Sequence, residues 1–147
     1  RIPSGRSVSI ERETFPEMAA ARTLYAMESA TYWLDTGTPE QFLEANLDVL
    51  QGRRKSKFAM PTAAVHPTAQ VEESVIGTGS HIDAEVAVKG SVLFNNCHVG
   101  RGVTIVDSVL SDEVDVGEGA RVAGCIIGLG QRIEAGVTLI GQKRPES

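Results

Sequence analysis

A mainly β fold, in the form of a parallel β-helix preceded by a small α+β segment, is what this sequence predicts. Three observations carry that expectation. First, residues 65–141 repeat with a period of 17, each cycle dividing as 6 + 5 + 6 without insertion or deletion. Second, the lead positions of those segments form three columns. They are Val65, Ile82, Val99, Val116 and Ile133; Val71, Val88, Ile105, Val122 and Leu139; and Ile76, Leu93, Leu110 and Ile127. All fourteen are Ile, Leu or Val, an agreement with a random chance on the order of 10⁻⁷. Third, no proline lies between Pro67 and Pro145, as continuous ladders require.

The elements follow in chain order. Residues 11–21 suggest a short helix, interrupted early by Pro16. Residues 23–33 read as two short strands with a turn at Ser29. A helix then starts at Thr38, which is a good N-cap. Pro39 suits the first helical position, and Gln41 completes a capping-box spacing. Phe42, Leu43, Leu47, Val49 and Leu50 are its expected buried face. Gly52 and the basic run Arg53, Arg54, Lys55 suit its C-terminal end. The charge pattern changes beyond this point. Residues 1–64 carry eight acids and eight bases, whereas residues 65–141 carry ten and four. We therefore read a first domain at 1–57, a linker at 58–64 and the β-helix at 65–147.

Within each cycle, three short strands turned at regular corners make a triangular coil. Stacking coils about 4.8 Å apart pairs every strand with its copies above and below. The lead residues then point inward. A second inward set is expected at Ala69, Val86, Val103, Ala120 and Val137, and at Val75, Val92, Val109 and Ile126. Small residues recur at Ser74, Ser91, Ser108 and Cys125. Gly79, Asn96, Gly102, Gly119, Gly130 and Gly136 each fall three residues after a lead position, where a corner demands left-handed backbone. The expected stack is about four and a half coils.

Composition excludes several classes of function. The net charge of −5 argues against nucleic acid and against an anionic membrane surface. No apolar run approaches the roughly 18 residues of a membrane span, and no signal-peptide pattern opens the chain. Cys97 and Cys125 have no CxxC spacing, so a reduced cytoplasmic setting is expected. The first residue is Arg1 rather than Met, which suggests a piece of a longer chain.

The repeat resembles the hexapeptide-repeat family, whose coils are left-handed, and that hand comes from the resemblance alone. The recurring SVIG, SVLF, SVLS and CIIG look most like the β-helix tails of sugar-nucleotide pyrophosphorylases. SIERETFP at 9–16 and YWLDTGTPEQFLEAN at 32–46 resemble the closing segment of the nucleotidyltransferase domain in sugar-1-phosphate nucleotidylyltransferases, of the mannose-1-phosphate guanylyltransferase type. The resemblance implies transfer of a nucleotidyl group from a nucleoside triphosphate, GTP in that type, to a sugar 1-phosphate such as mannose 1-phosphate. It places a Mg²⁺ ligand at Asp35, a sugar-hydroxyl contact at Glu11, and part of the sugar wall at Trp33 and the Gly37–Thr38 turn. It also implies a homo-oligomer, with the β-helix serving assembly or regulation. The family's GxGxRL phosphate loop, activating base, sugar-phosphate lysine and second metal carboxylate are not in this sequence. The 147 residues alone are therefore expected to be inactive.

Other readings weigh against these. Asp35 also suits a turn cap before Gly37, and Glu11 a surface acid at a helix start. Gly128-Leu129-Gly130-Gln131-Arg132 mimics the phosphate loop but sits in the repeat register, as a coil corner. His81 and His98, 17 apart, stack on adjacent coils and read as solvated surface residues. A hexapeptide-repeat acyltransferase would use a His as general base. The uninterrupted repeat and the lack of an obvious carboxylate beside His66, His81 or His98 count against it. A non-catalytic assembly module is the third reading. Cys97 and Cys125 read as small apolar residues.

Overall fold

A computed structural model describes residues 2–53 and 62–144. Most of the expected linker, together with Arg54 and Lys55, lies outside the described residues. The chain forms two compact units, Arg1–Tyr32 and Trp33–Ser147.

In the first unit, Ser9 caps a helical stretch that opens as a π turn, Ile10–Thr14, and continues as α1, Phe15–Ala20. Proline at position 16 removes a backbone donor and its ring crowds the carbonyl four residues back. The helix meets this by widening, with Phe15 N–H donating to Ile10 O, five residues behind. Ser9 Oγ accepts from Arg12 N at 3.3 Å, and Glu13 returns a carboxylate oxygen to Ser9 N at 3.3 Å. Arg6 pairs with Glu13 at 2.7 Å and, with Ser9, holds the Glu13 carboxyl below its usual range. The two strands expected over 23–33 do not form. Both edges of those residues lack a strand partner among the described residues, and an unpaired hairpin is at best marginal in water. The Ser29 turn is present: Ser29 Oγ meets Thr31 Oγ1 at 2.7 Å and accepts from Thr31 N at 3.3 Å.

The second unit is a β-solenoid of five turns on 17-residue coils. Its first sheet comprises β1 (Ala64–Val65), β4 (His81–Ile82), β7 (His98–Val99), β10 (Asp115–Val116) and β13 (Arg132–Ile133). The second comprises β2 (Gln70–Glu72), β5 (Ala87–Lys89), β8 (Thr104–Val106), β11 (Arg121–Ala123) and β14 (Thr138–Ile140). The third comprises β3 (Val75–Ile76), β6 (Val92–Leu93), β9 (Val109–Leu110), β12 (Ile126–Ile127) and β15 (Lys143–Arg144). Every pairing is parallel and joins residues 17 apart, as Ile82 to Val99 and Val88 to Ile105. The fifth rung of the third sheet, ending at Arg144, exceeds the four and a half coils expected, because backbone pairing continues where the apolar column stops.

The core is the stacked interior. Ile82, Leu93, Val99, Ile105, Leu110, Val116, Val122 and Ile127 are fully buried, and Val86, Val103 and Ala120 nearly so or completely. Val65 and Val71, on the first coil, are exposed, since no described coil stacks on that side. The corner positions are left-handed as expected, for instance Gly79 at φ 74° and Asn96 at φ 57°. A further set of left-handed corners, two residues after the second-sheet column, was not anticipated: Glu73, Gly90, Asp107, Gly124 and Gly141. Turning one residue earlier is what makes that segment five residues rather than six.

One expectation is overturned. Val75, Val92, Val109 and Ile126 do not point inward. Each precedes an inward residue in a two-residue strand, and neighbours in a strand face opposite ways. Val92 and Val109 are nonetheless buried, which requires an outer cover. That cover is α2 (Pro39–Leu50), whose Phe42 stacks on Phe94 with ring centroids 5.8 Å apart. Leu43 and Leu47 are half-buried, whereas Val49 and Leu50, also expected to be covered, are exposed. Each strand of that sheet is only two residues long, so it shields one side of the helix only. Asp48 is buried instead, with Arg53 Nη1 at 2.9 Å.

A polar ladder runs through the interior. Ser74 Oγ accepts from Ser91 N at 3.0 Å, Ser91 Oγ from Ser108 N at 3.1 Å, and Ser108 Oγ from Cys125 N at 3.0 Å. Each hydroxyl also donates to the carbonyl two residues back, as Ser91 to Lys89 O at 2.8 Å. The small side chain thus satisfies corner backbone that the strands leave unpaired. Cys125 continues the pattern, its Sγ donating to Ala123 O at 3.2 Å and accepting from Gln142 N at 3.4 Å. Ser91→Ala would strand the buried Ser108 N–H and should destabilise by about 1–3 kcal/mol. Ser91→Cys, which copies position 125, should cost less. Chemical denaturation of the two variants checks the order, and equal costs would remove the hydrogen bond from the account.

Candidate functional site

The segment from Trp33 to Thr38 is built by local hydrogen bonds. Asp35 Oδ1 accepts from Gly37 N at 3.0 Å, closing an Asx-type turn. A Cβ at Gly37 would meet that same oxygen at 3.3 Å, so glycine lets the turn close on its carboxylate. Thr38 Oγ1 then accepts from Gln41 N at 3.3 Å, and Gln41 Oε1 accepts from Thr38 N at 3.1 Å. This is the expected capping box. Glu40 has its carboxyl held below the usual range, first by its own backbone N–H and then by the Thr38 hydroxyl. The helix start thus favours negative charge.

The expected site residues fall as follows. Asp35 is exposed and serves the turn. Trp33, two residues before it, is 81% exposed. Glu11 lies in the first helical turn of the first unit and is exposed. As the side chains stand, no three His, Cys, Asp or Glu groups among the described residues are placed to hold a metal ion. Mg²⁺ takes oxygen ligands and is usually held by one or two carboxylates together with substrate phosphates. Asp35 therefore fits as a single ligand.

Gly128–Arg132 is a coil corner, with Gly130 at φ 64° and Gln131 N donating to Gly128 O at 3.4 Å. Its backbone donors serve the stack, Gly130 N reaching Asp112 O at 3.0 Å. Cys97 and Cys125 are buried and unpaired with each other, and burial is the main cause that pushes the Cys97 thiol up.

The histidines differ from expectation. His81 Nε2 stands 3.0 Å from Asp83 Oδ1 and His98 Nε2 3.9 Å from Asp83 Oδ2. A carboxylate therefore stands beside these two rings, contrary to expectation. The signal lay in the period: position 83 is two residues after one ring on the same strand side, and one coil away from the other. The coils run through residues 64–144 without an inserted loop.

A five-turn parallel β-solenoid with one face roofed by a capped helix defines the structural class. Within it, the chain belongs to the GMPPB C-terminal domain family, which matches residues 54–143. It is 36% identical over 102 residues to a mannose-1-phosphate guanylyltransferase of Mycobacterium tuberculosis, covering 61% of this chain and 28% of that protein. It is 38% identical over 86 residues to mannose-1-phosphate guanylyltransferase 1 of Arabidopsis thaliana, covering 56% and 24%. With mannose-1-phosphate guanyltransferase beta-A of Xenopus laevis it shares 46% over 50 residues, covering 34% and 14%. The chain spans about a quarter of the length of the first two relatives. No helix among the described residues is long and apolar enough to cross a membrane.

Proposed function

We propose that this chain is the C-terminal part of a sugar-1-phosphate nucleotidylyltransferase that joins GTP and mannose 1-phosphate into GDP-mannose. The family match over residues 54–143 carries the reading, and the capped Trp33–Pro39 turn supports it. In this reaction an oxygen of the sugar phosphate attacks the α-phosphorus of GTP. The bond from that phosphorus to the bridging oxygen breaks, and pyrophosphate leaves. Bound Mg²⁺ supplies screening of the phosphate charges. Asp35 offers the cation one carboxylate oxygen. Trp33 presents an apolar ring to the sugar, and Glu11 accepts hydrogen bonds from sugar hydroxyls. The solenoid serves assembly of a homo-oligomer or its regulation. Two buried thiols without a disulfide suit a reducing compartment, and we place the protein in the cytoplasm.

Pyrophosphate release from GTP and mannose 1-phosphate, measured on the full-length protein and on these 147 residues, tests the assignment. The full-length protein should turn over, and the 147 residues should release none above the no-enzyme rate. A full-length protein inactive with every sugar 1-phosphate and nucleoside triphosphate would reject the reading. Clear turnover by the 147 residues would reject the division of labour.

A further inference from the structure

All three histidines of the chain, His66, His81 and His98, lie on the outward side of the first sheet over three successive coils. His81 and His98 are register partners on β4 and β7. Their rings stack at 5.6 Å between centroids and within 11° of parallel. Asp83 turns one oxygen to each Nε2, at 3.0 and 3.9 Å. His66 stands level with Asp83 one coil earlier, but its Nδ1 is taken by Thr68 Oγ1 at 2.9 Å. We propose that His81, His98 and Asp83 form a binding site for a divalent cation of the zinc class.

The donor set has the chemistry. Two neutral imidazoles and one carboxylate are the ligands that Zn²⁺ takes, with water filling the fourth position. Magnesium prefers oxygen donors, so this site differs in kind from a carboxylate–phosphate site. As they stand the side chains do not hold the ion, and both imidazoles must turn out of their stack to do so. Two nitrogens on tetrahedral zinc stand roughly 3.3 Å apart at bond lengths near 2.05 Å, closer than the stacked rings. The two imidazole side chains are 57% and 52% exposed, so turning about their χ angles meets little packing. The backbone does the rest, because parallel pairing fixes both Cα atoms one coil spacing apart. Asp83 already turns an oxygen toward each nitrogen, the nearer at 3.0 Å.

The probe is Zn²⁺, titrated calorimetrically into the 147-residue chain, with Co²⁺ absorption reporting the ligand type. One Zn²⁺ per chain is expected, unaffected by excess Mg²⁺. Loss of a group that merely orients a metal ligand costs about 10–100-fold in affinity. His81→Gln and His98→Gln, each removing a ligand, should therefore weaken binding at least tenfold, and the double variant should abolish it. Asp83→Asn should weaken it less but measurably, and His66→Gln should leave it within about twofold. All substitutions are on the exposed face, and unchanged thermal melts will show that the fold is intact. No uptake by the wild-type chain overturns the proposal. So does a double variant that binds as tightly, displacement by Mg²⁺, or a loss in His66→Gln equal to that in His98→Gln.

Discussion

Val99→Asp should break the solenoid in the middle. Val99 is fully buried on the third coil, between Ile82 above and Val116 below. A carboxylate there has no cation or spare donor to meet it. An uncompensated buried charge costs about 3–5 kcal/mol, and the side chain will lower that cost by staying protonated. Its folded-state pKa is then raised above the unfolded value. The folded form holds a proton that the unfolded chain has released, so stability falls as pH rises from the unfolded pKa. The variant should melt lower at pH 7 than at pH 4.5, relative to wild type. Val99→Ala, which deletes volume without charge, should cost about 2 kcal/mol with no such pH trend. Val65→Asp supplies the comparison within the same column. Val65 is 42% exposed on the end coil, and a change there should stay within about 0.5–1 kcal/mol. A solenoid is stabilised mainly through neighbouring coils, so the central lesion separates two short stacks while the end lesion only frays one. Similar melts for Val99→Asp and Val65→Asp would overturn the assigned register.

Pairing and corners were legible in the sequence because both are periodic and both are backbone demands. A 17-residue register with Ile, Leu or Val at each lead position leaves one way to stack. Asn96 and the glycines three residues after a lead mark where φ turns positive. The outward stripe Val75, Val92, Val109 and Ile126 was legible as apolar but was assigned to the wrong face. Alternation in a two-residue strand gives the face, and a periodic apolar residue on an outward face announces a cover. That cover, α2, was itself plain from Thr38, Pro39 and Gln41. What failed was anything that depends on a partner surface. Residues 23–33 have strand-forming composition, but none of the three described sheets takes them in as a strand. Val49 and Leu50 look like helix core, yet a narrow sheet face leaves them outside. The Asp83 carboxylate beside two histidines does not show down any one column of the repeat, because it involves two columns on neighbouring coils.

At the candidate site, the sequence offered Asp35 two roles, and the structure makes one of them visible. Asp35 Oδ1 caps Gly37 N at 3.0 Å, an interaction that an amide oxygen makes equally well. Asp35→Asn should therefore preserve the turn, the capping box and the melting temperature of the full-length protein. The proposed second role responds in the opposite way. A hard divalent cation favours an anionic oxygen, and Asn withdraws that charge without changing shape. Outer-shell changes at metal sites cost about 10–100-fold, so loss of a ligand should lower turnover by at least about a hundredfold and raise the Mg²⁺ needed for half-maximal rate. The Asp35→Ala variant separates the two effects further, since it removes both the charge and the turn oxygen. It should lose activity to a similar degree and also lose about 0.5–2 kcal/mol of stability, as for other side-chain caps. Pyrophosphate release across a Mg²⁺ titration, with a melt on each protein, reads both roles at once. Near-normal turnover of Asp35→Asn at low Mg²⁺ would confine Asp35 to the turn it closes.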